Sequence, residues 1–240
     1  MPTGEPVAAD RRPFDATIGR CLNVMKAKRA IDAIVFDLGG VVLRWRPAEL
    51  LAQALPALAD TPQQAQRLSE HFFQTFGPEG DWAQFDRGTL GVDDVVGRIV
   101  RRTGLAESDV RAVVAAVPAH LQPQPEAVAL IDRLRSRWRL HYLSNMPEPF
   151  ARRLLDEHRF FDWFDGGVFS SLVRMIKPER PIFDEAARRF GAEPSRLLFI
   201  DDSPVNVEAA RAAGWQAMHF VDVAQCRAQL AARGVVPDPA

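Results

Sequence analysis

Ala33-Ile34-Val35-Phe36-Asp37-Leu38-Gly39-Gly40 is the stretch on which the fold turns. Its apolar run is too short for a helix, contains the β-branched pair Ile34-Val35, and shows no alternation with polar residues. That pattern predicts a strand buried on both faces, as in a parallel sheet. The run ends in an acid, and the two glycines after it predict a turn. Three further runs have the same character. Leu140-His141-Tyr142-Leu143 leads into Ser144-Asn145, Leu197-Leu198-Phe199-Ile200 leads into Asp201-Asp202, and Ala217-Met218-His219-Phe220-Val221 follows Gly214-Trp215. Helix-like stretches lie between these later runs. Residues 125–138 carry Val128, Ile131 and Leu134 at spacings of three, 148–158 and 181–190 read alike, and the Ala-rich 206–213 stops at Gly214. Strands alternating with helices imply parallel βαβ units with right-handed crossovers, an α/β fold.

Residues 48–119 break the alternation: helices are predicted over 48–58, 62–76, 92–103 and 107–117, with no strand among them. The expected organisation is a helical cap domain at 48–119, inserted into a core domain made of 31–47 and 120–240. Residues 1–30 are expected to form a disordered extension, and the Pro-containing tail 237–240 to fray. The chain of 240 residues, 47% hydrophobic and 25% charged, is large enough to bury a core without disulfides. A net charge of −1 and the absence of a basic run argue against nucleic acid as a partner. No stretch is apolar enough to span a membrane, and residues 1–24 lack the apolar segment of a secretory signal. Cys21 and Cys226 are far apart and without metal-ligand spacing, which fits a reducing compartment, so the expected location is the cytoplasm. The expected assembly is a monomer or homodimer.

In an open parallel sheet, ligands bind beyond the carboxyl ends of the strands. Asp37, Ser144-Asn145 and Asp201-Asp202 all fall at that edge. Taken singly, each is a common turn or cap residue. Taken together they describe one chemistry. Carboxylate oxygens of Asp37 and Asp202 suit an octahedral Mg²⁺ site shared with phosphate oxygens and water. A carboxylate there can attack phosphorus. Ser144 can donate to a phosphate oxygen, and Gly39 and Gly40 allow close backbone approach. Lys177, in Met175-Ile176-Lys177-Pro178 at the expected start of the next helix, adds a point charge.

Four segments then carry a resemblance. Phe36-Asp37-Leu38-Gly39-Gly40-Val41-Val42, Leu143-Ser144-Asn145, Lys177-Pro178 and Phe199-Ile200-Asp201-Asp202-Ser203-Pro204-Val205-Asn206 occur in the order and spacing of the motifs of the haloacid dehalogenase (HAD) superfamily. The match spans residues 32–222, nearly the whole expected fold. Trp82-Ala83-Gln84-Phe85-Asp86-Arg87-Gly88-Thr89-Leu90 resembles a cap segment of the cap-type-one group, which includes small sugar-phosphate phosphatases. The resemblance implies a Rossmann-like three-layer core with an inserted helical cap, and a Mg²⁺-dependent phosphatase acting on small phosphate monoesters. It implies Asp37 as nucleophile and metal ligand, the Gly39 carbonyl and Asp202 as further ligands, and Asp201 as an adjacent ligand or supporting acid. It implies Ser144 and Asn145 as phosphate-binding residues, Lys177 as the charge that holds the site together, and Asn206 as a loop anchor. Phosphatases of this pattern usually carry a second Asp two residues after the nucleophile, as general acid and base; this chain has Gly39 there. Two alternatives stay open on that ground: a metal-independent 2-haloacid dehalogenase, or a weakened member that binds a ligand or protein. Trp45, Arg46, Trp82 and Arg87 are the candidates for substrate selection by the cap, against a reading of the aromatics as core and of Arg87 as a surface charge.

Overall fold

The computed structural model describes residues 30–235. The expectations for an extension over 1–30 and for a frayed tail therefore fall almost wholly outside the described residues. Five parallel strands form the sheet: β1 (Ala33–Phe36), β2 (Arg139–Ser144), β3 (Gly166–Phe169), β4 (Leu197–Asp201) and β5 (Gln216–His219). Their order is β3-β2-β1-β4-β5, so β1 is central and the order reverses between β1 and β4. All four β1 residues are buried. Their alternation divides the core. Ile34 and Phe36 join Leu140, Leu198 and Ile200 on one face, and Ala33 and Val35 join Leu143, Leu197 and Phe199 on the other.

Helices cover both faces, which completes a Rossmann-like three-layer arrangement. On the second face, α9 (Arg180–Phe190) contributes Ile182, Phe183 and Phe190, and α10 (Pro204–Ala212) contributes Val207 and Ala210. On the first, α6 (Pro125–Leu134), α7 (Glu148–Glu157) and α11 (Val223–Ala232) contribute Ile131, Phe150, Leu154 and Leu230. Between β1 and β2 the chain is helical: α1 (Pro47–Ala54), α2 (Pro62–Phe73), α3 (Asp81–Asp86), α4 (Val92–Thr103) and α5 (Glu107–His120). A short α8 (Ser170–Val173) follows β3. Proline stands in the first turn of α1, α2, α6, α9 and α10, where its missing N–H loses no bond. Thr61 and Gln64 form a reciprocal capping box at the start of α2, and Gly104 and Gly191 end α4 and α9.

Three differences from the sequence reading have local causes. The fifth strand, β3, escapes pattern reading because it is four residues long and half glycine. The helix expected through Phe76 ends at Phe73, because Gln74, Thr75 and Phe76 take left-handed backbone angles with φ of 51°, 51° and 58°. Lys177-Pro178 does not open a helix. It lies in a turn with a cis peptide, and α9 begins at Arg180 with Pro181 in its first turn. Among the described residues no helix is long and apolar enough to cross a membrane.

His141 on β2 is only 2% exposed and stacks on Phe190 at 4.1 Å between ring centroids. Burial, then the charge of Arg139, pushes its imidazole down to about 4. An unfolded chain takes up that proton near pH ~6.5. Between the two values the unfolded state binds more protons, so this residue's contribution to stability is complete above the window and is lost as pH falls through it, up to about 3 kcal/mol. His141→Leu is expected to lose less melting temperature than the wild type between about pH 7 and pH 4.5. Melting curves across that range check this, and parallel curves for the two proteins would refute it.

Candidate active site

The strand order places three polar strand ends side by side. Phe36 is in register with Tyr142 on β2 and with Ile200 on β4. The Asp37 N–H donates to the Ile200 carbonyl at 2.8 Å, which fixes Asp37 level with Asp201 at the carboxyl edge. This is the reversal point of the sheet, where no crossover helix closes the crevice. Lys177 enters from the turn before α9. Its Nζ lies 2.8 Å from Asp37 Oδ1 and 2.7 Å from Asp201 Oδ2, and the residue is 3% exposed. Burial opposes the ammonium charge, but Asp201 and Asp37 outweigh it and hold Lys177 above the ordinary lysine range.

Asn145 holds the lysine from behind. Its Nδ2 donates to the Lys177 carbonyl at 2.9 Å, and its Oδ1 accepts the Lys177 N–H at 2.8 Å. Asp201 is fully buried and accepts from Lys177, from the Ser203 N–H at 2.8 Å and from Asn206 Nδ2 at 3.1 Å. Asn206 thereby ties the start of α10 to Asp201. Asp202 faces solvent. Gly40 sits at φ +79°, and a Cβ there would lie 2.1 Å from Asp202 Oδ2. Only glycine lets this loop pass so close to that carboxylate.

Asp37, Asp201 and Asp202 each present an oxygen within 4.8 Å of the others, the one such acidic group among the described residues. Burial, opposed by Lys177 and reinforced by Asp201 and Asp202, pushes Asp37 up to about 7. Burial and Asp201 push Asp202 up to about 6. A cluster of three acids with one ammonium is short of positive charge, and its donors are all hard oxygens. That donor set fits a small divalent cation.

Ser144, at the end of β2, is 1% exposed beside this edge. The four residues proposed from the sequence for substrate selection separate. Trp45 is half-buried; a Cβ on Gly39 would lie 3.8 Å from its Cβ. Arg46 is exposed, and its backbone N–H donates to His120 Nε2 at 3.2 Å. Trp82 is packed among Phe72, Phe73, Phe85 and Phe150, so its ring fills the core and does not line an open surface. Arg87 makes a two-pronged pair with Glu179, at 2.8 and 2.5 Å, two residues beyond Lys177.

Asp86, which pattern reading passed over, is buried near the same cluster. Its carboxyl responds to the charges of Lys177 and Asp37. The available signal was its spacing: it lies four residues after Trp82 and three after Ala83, on the apolar face of α3.

The sequence model of the haloacid dehalogenase-like hydrolases matches residues 31–214. A sesquiterpene phosphatase of Aspergillus oryzae is 28% identical over 191 residues, covering 79% of this chain and 90% of that one. A phosphoglycolate phosphatase of Rhodospirillum rubrum is 27% identical over 203 residues, 76% of each chain. A HAD family enzyme of Bacteroides thetaiotaomicron, crystallised with magnesium and inorganic phosphate, superposes with a TM-score of 0.63 at 23% identity, over 80% of this chain and 94% of that one.

Lys177→Met should leave Asp37 and Asp201 buried without a counter-charge. The expected loss is about 3–5 kcal/mol at neutral pH, shrinking in acid as protonation neutralises Asp37. Urea unfolding at two pH values measures both, and a loss independent of pH would contradict the assignment.

Proposed function

The chain belongs to the haloacid dehalogenase-like hydrolases, and on that premise we propose that it hydrolyses small phosphate monoesters through a phosphoryl group carried on Asp37. The observation that carries the reading is the convergence of Asp37, Lys177, Asp201 and Asp202 on one sheet edge. In this reading Asp37 attacks phosphorus, and the oxygen of the departing alcohol leaves in line. Ser144 and the N–H groups after β1 and β2 hold the phosphoryl oxygens, while Lys177 offsets their charge. Because the Asn145 amide is taken up by Lys177, we assign Asn145 to positioning the lysine, with its backbone N–H left for phosphate. Asp201 is committed to Lys177, Ser203 and Asn206, which favours Asp37, Asp202 and the Gly39 carbonyl as the protein's share of the metal site. When bound there, Mg²⁺ supplies charge neutralisation and alignment of the phosphoryl group. The phosphatases among the similar proteins, and the magnesium and phosphate in the Bacteroides enzyme, support this reading.

The helical segment 48–119 acts, in this proposal, as a cap on a core of 31–47 and 120–235. Trp45 and Arg46 then stand at the entrance, one apolar and one cationic. The ring of Trp45 continues into Phe73 and Phe76, at 5.7 and 6.1 Å between centroids. Phe76 is 43% exposed and held in a left-handed turn, a conformation unfavourable by roughly 1–2 kcal/mol for an L-residue. An exposed aromatic kept in such a turn favours an ester with an apolar organic group over a sugar phosphate, in keeping with the sesquiterpene phosphatase relative.

Two measurements test these assignments. With an aryl phosphate, activity should require Mg²⁺ and vanish with a chelator, and Asp37→Asn should lower kcat/KM on the order of 10³-fold or more. Metal-independent turnover of 2-haloacids without any phosphatase activity would replace this reading with the carbon-attacking one. For the entrance, Phe76→Ser should raise KM for long-chain alkyl phosphates by about tenfold and leave that for sugar phosphates little changed, as loss of an apolar contact of about 1–2 kcal/mol demands. An equal change for both classes would remove Phe76 from substrate selection.

A further inference from the structure

Asp86 has no task in the chemistry above, yet it is one of the few buried acids in the described residues, 8% exposed. It ends α3, and three contacts fasten the segment it belongs to against the catalytic edge. Ser170, directly after β3, donates its hydroxyl to the Asp86 carbonyl at 2.5 Å. The same hydroxyl accepts the N–H of Met146, in the loop after β2 that also carries Asn145. Arg87 pairs with Glu179 on the Lys177 turn. Gly88, at φ +76°, runs so close to Ser171 that a Cβ would lie 2.7 Å from its carbonyl oxygen. The Asp86 main chain is therefore pinned between the loop after β2 and the turn that holds Lys177. Among the described residues its carboxyl receives no hydrogen bond, unlike that of Asp201. Burial holds it well above the usual carboxylate range, with Lys177 opposing and Asp37 adding to the effect.

We propose that Asp86 is the general acid and base of this enzyme, doing from the helical segment what the chain cannot do at Gly39. The inference rests on the phosphatase reading. As the Asp37 oxygen bonds to phosphorus and the ester P–O bond breaks, the leaving oxygen takes the proton of the Asp86 carboxyl and departs as the alcohol. The carboxylate so formed then takes a proton from water. The resulting hydroxide bonds to phosphorus, the bond to Asp37 breaks, inorganic phosphate is released and Asp86 is protonated again. An acid supplied from the segment that also covers the substrate is in place only when that segment is seated, as it is here.

The test is leaving-group dependence, which a merely structural role would not produce. Purified Asp86→Asn is assayed with Mg²⁺ against a nitrophenyl phosphate, whose leaving group needs no proton, and against a simple alkyl phosphate. Its melting temperature is compared with the wild type. The expected result is a fall in kcat of about 10²-fold or more on the alkyl ester and no more than about tenfold on the aryl ester. Gly39→Asp in the same background should recover part of the alkyl activity. Gly39 is not at positive φ, and a Cβ there meets nothing nearer than Trp45 at 3.8 Å. Equal losses on both esters, or no loss on the alkyl ester, overturn the assignment while leaving the phosphatase reading intact. A wild type that hydrolyses neither ester overturns both.

Discussion

One ammonium buried between two carboxylates sets the terms for everything around it. Lys177 brings Asp37 and Asp201 together at the edge of the sheet, away from water. Removing three charges from solvent is unfavourable unless the remaining hydrogen-bonding capacity is met. The structure meets it with the Asn145 amide on the lysine main chain and with Ser203 and Asn206 on Asp201. Asp37 and Asp202 lack that set of hydrogen bonds, and burial pushes both carboxyls up. The electrostatic imbalance is thus concentrated on oxygens at the carboxyl edge of the sheet.

That arrangement explains how much of the molecule was legible in the sequence. The central strands β1, β2 and β4 write continuous apolar runs and could be recognised with the polar residues at their ends, as could the largely apolar run of the edge strand β5. β3 is four residues long, opens on Gly166-Gly167 and carries no such signature. Which residues meet at the sheet edge could be read, but not what each of them holds. Asn145 and Ser144 are neighbours in sequence, yet one grips a main chain that lies 32 residues further along while the other sits buried at the strand end. Which of Asp201 and Asp202 is enclosed depends on where the chain turns after β4. That is a matter of Ser203 and Asn206, not of the two acids.

The helical segment was harder to read for a related reason. Trp82 and Arg87 are the residue types expected to touch a ligand, but Trp82 is absorbed by packing and Arg87 by Glu179. Asp86 stands between Phe85 and Arg87 at the end of α3, where an acid passes for an ordinary helix-end residue. Its meaning depends on Ser170 and Lys177, both more than eighty residues away. Long-range placement of this kind leaves no local trace.

The hydrophobic core carries a consequence of its own. Trp82 and Phe85 from α3 meet Phe150 of α7, so the interior of the helical segment and one face of the sheet form a single continuous cluster. The two parts cannot come apart without exposing aromatic surface on both. Recombination that exchanged the helical segment for that of a relative would therefore have to carry a matching residue at position 150. This seam couples sequence change in the helical segment to the stability of the sheet beneath it.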